Sequence, residues 1–346
     1  MSTLAPQYRA APVAPIERRD VARVRISVVV PAHDEQEVLP EFHARTTAVL
    51  ESLGSPYELV YVNDGSRDGT MAVLRTLRAS DDRVAIIDLS RHFGKEIAMT
   101  AGLDQARGDI AIVMDADLQD PPEFIPELIA GWCEGYDVVY AQRVSRDGER
   151  WLKTATSRWF HRVMGRLSPV TIPADTGDFR LLSRNALTAL ANIREHHRYM
   201  KGLFAWIGFP QKAVPLRRDA RAAGRTKFTY WKLWNFAIDG FTSFSVAPLK
   251  VATYSGLGVA MCSFLYAVWI IYKTLRFGEP VRGYPSLMVV ILFLGGVQLL
   301  AIGVVGEYLG RMFNEVKQRP LYVLNGVEQS RLATQSPGPG AVRAVQ

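Results

Sequence analysis

The chain has 346 residues, a formal charge of +7, 48% hydrophobic residues and two cysteines. That length suits one large domain or a soluble domain joined to a membrane module. Cys133 and Cys262 alone exclude a disulfide framework and a cysteine zinc site, and the positive excess points to an anionic partner: nucleic acid, an acidic membrane surface or phosphorylated substrates.

Residues 1–24 are rich in Ala, Pro and Arg, lack a signal-peptide core, and read as a flexible leader. The first ordered element is the β-branched run Arg25–Pro31, expected of a strand buried on both faces. A helical pattern follows from Glu35 to about Leu53. The succession then repeats: strand from Tyr57 into the loop at Gly65, helix near Thr70–Ala79, strand Val84–Leu89, helix near Lys95–Ala106, strand Asp109–Met114. Alternating strands and helices predict an open α/β sheet whose ligands bind outside the carboxyl ends of the strands. The site is therefore expected at Pro31–Glu35, Asn63–Asp68, Leu89–Lys95 and Asp115–Gln119.

Further along, Val251–Tyr272 and Ser286–Gly306 are uncharged runs of 22 and 21 residues. Each is long enough to cross a hydrocarbon core of ~30 Å as a helix. Basic residues flank them on the outer sides: Arg217, Arg218, Arg221, Arg225, Lys227, Lys232 and Lys250 before, Arg311, Lys317 and Arg319 after. The positive-inside rule then places both termini in the cytoplasm and the short connecting loop outside. Between about 226 and 250, Phe228, Trp231, Leu233, Trp234, Phe236 and Phe241 mix with Lys227 and Lys232, as in a helix lying in the interface. Residues 311–346 read as a basic cytoplasmic segment leading into a flexible tail.

The segment with most chemical content is Asp115-Ala116-Asp117-Leu118-Gln119, directly after a buried strand. Carboxylates at i and i+2 of extended backbone share a side and can converge on one ion. Mg²⁺ or Mn²⁺ bridging a diphosphate suits such a pair. A second cluster, Asn63-Asp64-Gly65-Ser66-Arg67-Asp68, and a third, Pro31-Ala32-His33-Asp34-Glu35, also stand at strand ends. Asp68 doubles as a candidate helix cap before Thr70. No glycine spacing of dinucleotide or P-loop proteins follows any strand. His196 and His197 lack companion ligands and read as surface or structural.

Taken in order, Val30-Pro31-Ala32-His33-Asp34-Glu35, Val62-Asn63-Asp64-Gly65-Ser66, Phe93-Gly94-Lys95-Glu96, Asp115–Glu123 and Asp178-Phe179-Arg180-Leu181 resemble the family 2 glycosyltransferases that act on polyprenyl phosphates. Gly306–Arg311 and Lys317–Tyr322 are similar to the two-span bacterial branch. The resemblance implies a GT-A fold, an open, mostly parallel sheet with helices on both faces, over residues 25–225, followed by interfacial and two transmembrane helices. It implies that Pro31, Glu35, Asp64, Lys95 and Asp115 bind the nucleotide sugar, that Asp115 and Asp117 hold Mg²⁺ or Mn²⁺, and that Asp117, Gln119, Asp178 and Arg180 serve the reacting centre. Arg143, Arg158, Arg225 and Lys227 are the candidates for the lipid phosphate. Two departures stand out: His33-Asp34 where the family commonly has tyrosine or histidine followed by asparagine, and His92 in place of a usual asparagine.

The expected activity is inverting transfer of a hexose or modified sugar from a nucleoside diphosphate, UDP ahead of GDP, to a polyprenyl phosphate such as undecaprenyl phosphate. Its place is the cytoplasmic face of the plasma membrane. The expected partners are a nucleotide sugar, a polyprenyl phosphate and the membrane, with no nucleic acid; homo-oligomerisation is left open. A processive polysaccharide synthase of the same superfamily is the alternative enzyme, although Arg158-Trp159 lacks the preceding glutamine of its motif. A non-catalytic lipid-phosphate-binding membrane protein is the alternative from another class.

Overall fold

The computed structural model describes residue 19 and residues 24–143, 176–196, 198–216, 247–277 and 283–330. Arg158, Arg225, Lys227, His197, most of the leader, the aromatic segment 226–246 and the last sixteen residues lie outside them.

The buried β-branched runs form β1 (Ile26–Ala32), β2 (Tyr57–Asn63), β3 (Val84–Leu89) and β4 (Ile110–Val113). Helices α1 (Leu39–Ser52), α2 (Thr70–Ser80) and α3 (Lys95–Gln105) connect them. The first helix starts at Leu39 rather than Glu35, because Pro40 is tolerated only in a first turn, where its missing N–H would have no partner. That leaves Glu35 in the loop, its carbonyl accepting from the amides of Val38 and Leu39.

After β4 come a short 3₁₀ turn, α4 (Ile125–Cys133), β5 (Val138–Arg143), β6 (Thr176–Ser183), α5 (Arg184–Ala191), α6 (Met200–Trp206) and β7 (Gln211–Leu216). Two long helices, α7 (Ala247–Phe277) and α8 (Tyr284–Val316), precede β8 (Leu324–Glu328). The sheet order is β7-β5-β6-β4-β1-β2-β3-β8. Its central block β4-β1-β2-β3 is parallel as expected. The sheet as a whole is mixed: β6 lies antiparallel between β4 and β5, and β8 adds antiparallel to β3. Neither antiparallel strand carries the continuous apolar run of the parallel block, which is why alternation alone did not reveal them.

Alternate residues of the central strands feed two cores. Val28, Val30, Leu59 and Tyr61 pack against α1, α2 and α4 through Phe42, Leu50, Leu74 and Leu128. On the other face, Val29, Val60, Val62 and Val113 meet α3, α5 and α6 through Met99, Leu187 and Phe204. Helices thus cover both faces, and α3 sits closest: a Cβ on Gly102 would lie 2.3 Å from Val29 Cγ1. Burial of these aliphatic side chains, at roughly 25 cal/mol per Å² of apolar area, is the main force holding the strand ends in register.

The segment after α8, read from sequence as a basic stretch running into a tail, returns to the sheet. His196 N–H donates to Glu315 Oε1 at 2.7 Å, and Tyr322 donates to Asp104 Oδ2 at 2.8 Å. Ser330, 2% exposed, donates to the buried Glu58. His196 is therefore a structural contact between the sheet domain and the end of α8. The helices α7 and α8 pack side by side and leave Phe264, Leu265, Trp269, Phe293, Leu299 and Ile302 exposed. Among the described residues one helix stretch, Phe293–Val316, is long and apolar enough to cross a membrane. It lies further along α8 than the run Ser286–Gly306.

Candidate active site

Because β1, β2, β3 and β4 run parallel, the loops leaving their carboxyl ends meet on one edge of the sheet. They enclose a cavity of about 270 Å³ whose wall includes Pro31, Glu35, Asp64, Lys95, Asp115 and Asp117. These residues come from four separate segments of chain.

Asp64, 2% exposed, ties two of the loops together. Its Oδ1 accepts from the amide of Phe93 at 2.7 Å and its Oδ2 from that of Gly94 at 2.9 Å. Gly65 follows with φ +62°, and a Cβ there would lie 2.4 Å from the backbone of Arg91 and of His92, so only glycine lets the two loops touch. Asp64 thereby sets where α3 begins, and with it the position of Lys95. Asp68 accepts from the amide and hydroxyl of Thr70, the first residue of α2, and so acts on the helix start.

The ammonium of Lys95 lies 2.6 Å from Asp115 Oδ1 and 2.5 Å from Asp178 Oδ2. Burial by itself disfavours that charge, but the two carboxylates outweigh it and raise the Lys95 pKa well above the ordinary value. Asp115, in the loop after β4, and Asp178, in β6, respond in opposite directions. Burial raises Asp115, with Asp178 and Asp117 adding to the rise and Lys95 opposing it. Burial also disfavours the Asp178 carboxylate, yet Lys95, Lys201 and Arg180 together hold it below the usual range. Asp178 is therefore the firmly ionised member.

Asp117 is exposed at the cavity mouth and accepts from the amide of Gln119 at 3.1 Å. The intervening Leu118 has φ +54°, an uncommon conformation for a branched residue and a mark of a locally constrained loop. Glu35 is raised by burial and by the neighbouring Asp117 and Asp115. Of the cavity carboxylates, Glu35, Asp115 and Asp117, the first two pushed upward, form a hard-oxygen donor set with less positive charge than it can accept. Such a set fits Mg²⁺ or Mn²⁺ better than a soft ion.

Arg180 is 3% exposed, donates to the carbonyl of Gly177 at 2.8 Å, and stands 3.9 Å over the Phe204 ring. Burial pushes its guanidinium down to about 10. It lies behind Asp178 rather than in the cavity wall. Arg143 is the last residue of β5, in register with Leu216 of β7.

Two polar groups beside Asp178 were not among the expected site residues. Glu96, in the first turn of α3, is pushed up to about 7 by burial, with Asp178 adding to the rise. Its Oε2 is enclosed with no hydrogen-bond partner among the described residues. Lys201, on α6, is lowered by burial. Lys201 sits about one hundred residues from Lys95 in sequence, and only sheet closure brings it near.

Residues 27–190 match the family model of glycosyl transferase family 2, and residues 247–312 match that of the GtrB C-terminal hairpin. An uncharacterized glycosyltransferase of Synechocystis is 51% identical over 302 residues, covering 87% of this chain and 95% of its own. The chain belongs to glycosyltransferase family 2. A prophage-derived bactoprenol glucosyl transferase of Shigella flexneri is 48% identical over 301 residues, covering 87% of this chain and 97% of its own. A prophage bactoprenol glucosyl transferase homolog of Escherichia coli is 46% identical over 307 residues, covering 88% of this chain and all of its own. The family 2 match spans β1 to α5 and so includes every cavity residue named above, while the hairpin match spans α7 and most of α8. The site thus lies wholly within the glycosyltransferase domain, and the long helices form a separate hairpin module.

Proposed function

We propose that this family 2 glycosyltransferase moves a hexose or modified sugar from a nucleoside diphosphate, UDP rather than GDP, onto the phosphate of undecaprenyl phosphate or a similar polyprenyl lipid, with inversion. The observation that carries this reading is the 46–48% identity, over nearly their whole length, to proteins named as bactoprenol glucosyl transferases or their homolog. The exposed apolar faces of α7 and α8 support a membrane-embedded acceptor. In this reading both uncharged runs span the plasma membrane and the catalytic domain and both termini are cytoplasmic.

Pro31, Glu35 and Asp64 shape the nucleoside end of the cavity, Asp64 doing so by fixing the loop at Phe93 and Gly94. Asp115 and Asp117 would hold Mg²⁺ or Mn²⁺, which supplies charge neutralisation of the departing diphosphate. Lys95 keeps Asp115 and Asp178 at hydrogen-bond distance and provides a fixed positive charge in the same cavity. Gln119, with its amide anchored on Asp117, lines the sugar end. The attacking oxygen belongs to a phosphate monoester, whose second pKa of about 6 leaves it ionised at neutral pH. No group is then required to deprotonate it, and Asp178 orients the acceptor or Arg180. Arg143, Arg158, Arg225 and Lys227 are the proposed lipid-phosphate contacts.

Purified protein in lipid nanodiscs, given undecaprenyl phosphate and a panel of nucleotide sugars, is expected to make one glycosylated lipid in a chelator-sensitive reaction. A sugar polymer would establish the processive synthase instead. No transfer with any donor would leave the lipid-phosphate-binding reading.

A further inference from the structure

His33 and His92 come from loops after different strands, yet the fold places them ring against ring. Their centroids are 4.1 Å apart with an interplanar angle of 31°. Both are held by the same residue: His33 Nδ1 is 2.8 Å from the Asp64 carbonyl, and His92 Nδ1 is 2.9 Å from Asp64 Oδ2. A carbonyl and a carboxylate only accept, so each Nδ1 carries the hydrogen when the ring is neutral. Each Nε2 is then left with its lone pair. This is the arrangement in which a metal-ligating histidine is oriented by a carboxylate or carbonyl on its other nitrogen.

The remaining geometry agrees. A ring nitrogen of each histidine and a carboxylate oxygen of Asp64 lie within 4.8 Å of one another. Both imidazoles are exposed, at 38% and 57% of their side-chain surface, so an ion can reach them. Asp34 Oδ2 stands 3.6 Å from His33 Nε2, offering a carboxylate on the same side. Asp34 takes φ +57°, a conformation that aspartate tolerates, and its Oδ1 accepts from the amide of Arg67. We propose that His33 and His92, with Asp34, form a transition-metal site of the Zn²⁺ class in the wall of the cavity, oriented by Asp64 and distinct from the Asp115–Asp117 pair. Two imidazoles and one carboxylate select zinc, cobalt, nickel or copper, whereas the all-oxygen pair suits magnesium or manganese. Occupancy would place a second cation beside the nucleotide end of the cavity and make the enzyme sensitive to zinc.

The test uses Co²⁺ as a visible-absorbing probe, titrated into the purified full-length protein with excess Mg²⁺ present. Wild type and Asp117→Asn are expected to bind one equivalent that Zn²⁺ displaces. His33→Asn and His92→Asn are each expected to weaken it about 10-fold or more. These variants leave Asp64 in place, because its carboxylate also secures Phe93 and Gly94 and its loss would disturb the loop itself. Unaltered Co²⁺ affinity in both histidine variants, or loss of the site in Asp117→Asn alone, overturns the proposal. In the transferase assay at saturating Mg²⁺, Zn²⁺ should halve the wild-type rate at a concentration about 10-fold below that needed for either histidine variant, each relative to its own uninhibited rate. Equal sensitivity overturns the inhibitory role. The binding arm needs neither donor nor lipid, so its failure is separable from failure of the transferase reading.

Discussion

Lys95 reaches from the first turn of α3 to Asp115 in the loop after β4, Nζ to Oδ1 at 2.6 Å, and the same ammonium holds Asp178 of β6. One flexible side chain thus joins a helix, a loop and a strand at the cavity. The site's electrostatics depend on it more than on any other described cation.

Replacing Lys95 by alanine is therefore expected to raise the pKa of both carboxylates. Asp115, whose burial-raised pKa Lys95 now opposes, would bind its proton at still higher pH, so the acid limb of the pH–rate profile moves upward. Activity would be lost earlier as pH falls and recovered in part as pH rises. An unmoved acid limb would show that neither carboxylate controls the rate.

Asp117 is exposed and bonded only to the nearby Gln119 amide among the contacts described, so Asp117→Asn should fold normally. It removes a charged oxygen from the proposed metal pair, and a rate loss of about 100-fold or more is expected. Raising the Mn²⁺ concentration should restore part of the activity if the lost function is metal affinity. Full activity of the variant in chelator would remove the metal from the mechanism.

Asp178→Asn distinguishes orientation from proton transfer. Because the phosphate acceptor is already ionised, the variant is expected to slow the reaction about 10- to 100-fold without altering the shape of the pH–rate profile. Rescue by formate or azide, or steep recovery at high pH, would instead assign Asp178 as a base.

Glu96 gives a prediction about stability. Its folded-state carboxyl is raised to about 7, above its unfolded value, so the folded protein binds this proton more tightly. Stability from that proton is present below the unfolded pKa and is lost as pH rises through about 7. Glu96→Gln keeps the neutral form at every pH. Its melting temperature relative to wild type should therefore increase between pH 5 and pH 8, by an amount reflecting roughly 1–3 kcal/mol, and level off above. A difference independent of pH would mean that Glu96 is not protonated in the fold.

The hairpin of α7 and α8 sets a topology. Cysteine introduced at Gly283, just before α8, should react with an impermeant thiol reagent in intact cells, whereas one at Asp81 should not. Labelling confined to position 81 would invert the proposed arrangement.

Local pattern made much of this protein legible. The runs at Ile26, Tyr57, Val84 and Ile110 became the parallel block because continuous β-branched residues bury on both faces, and the strand-end rule then located Glu35, Asp64, Lys95, Asp115 and Asp117 around one cavity. Asp-x-Asp, two uncharged runs and their basic flanks are all short-range signals. What tertiary structure alone decided involves residues far apart in sequence: β6 inserted antiparallel beside β4, β8 returning from beyond the hairpin, Lys201 behind Asp178, and His33 stacked on His92. Each depends on strand order, which follows from the best joint burial of all the faces rather than from any one segment. The charge states of Asp115 and Asp178 show the consequence. Both are aspartates beside the same lysine, and only the three-dimensional surroundings, burial and neighbouring carboxylates at one, cations that outweigh burial at the other, send their pKa values in opposite directions.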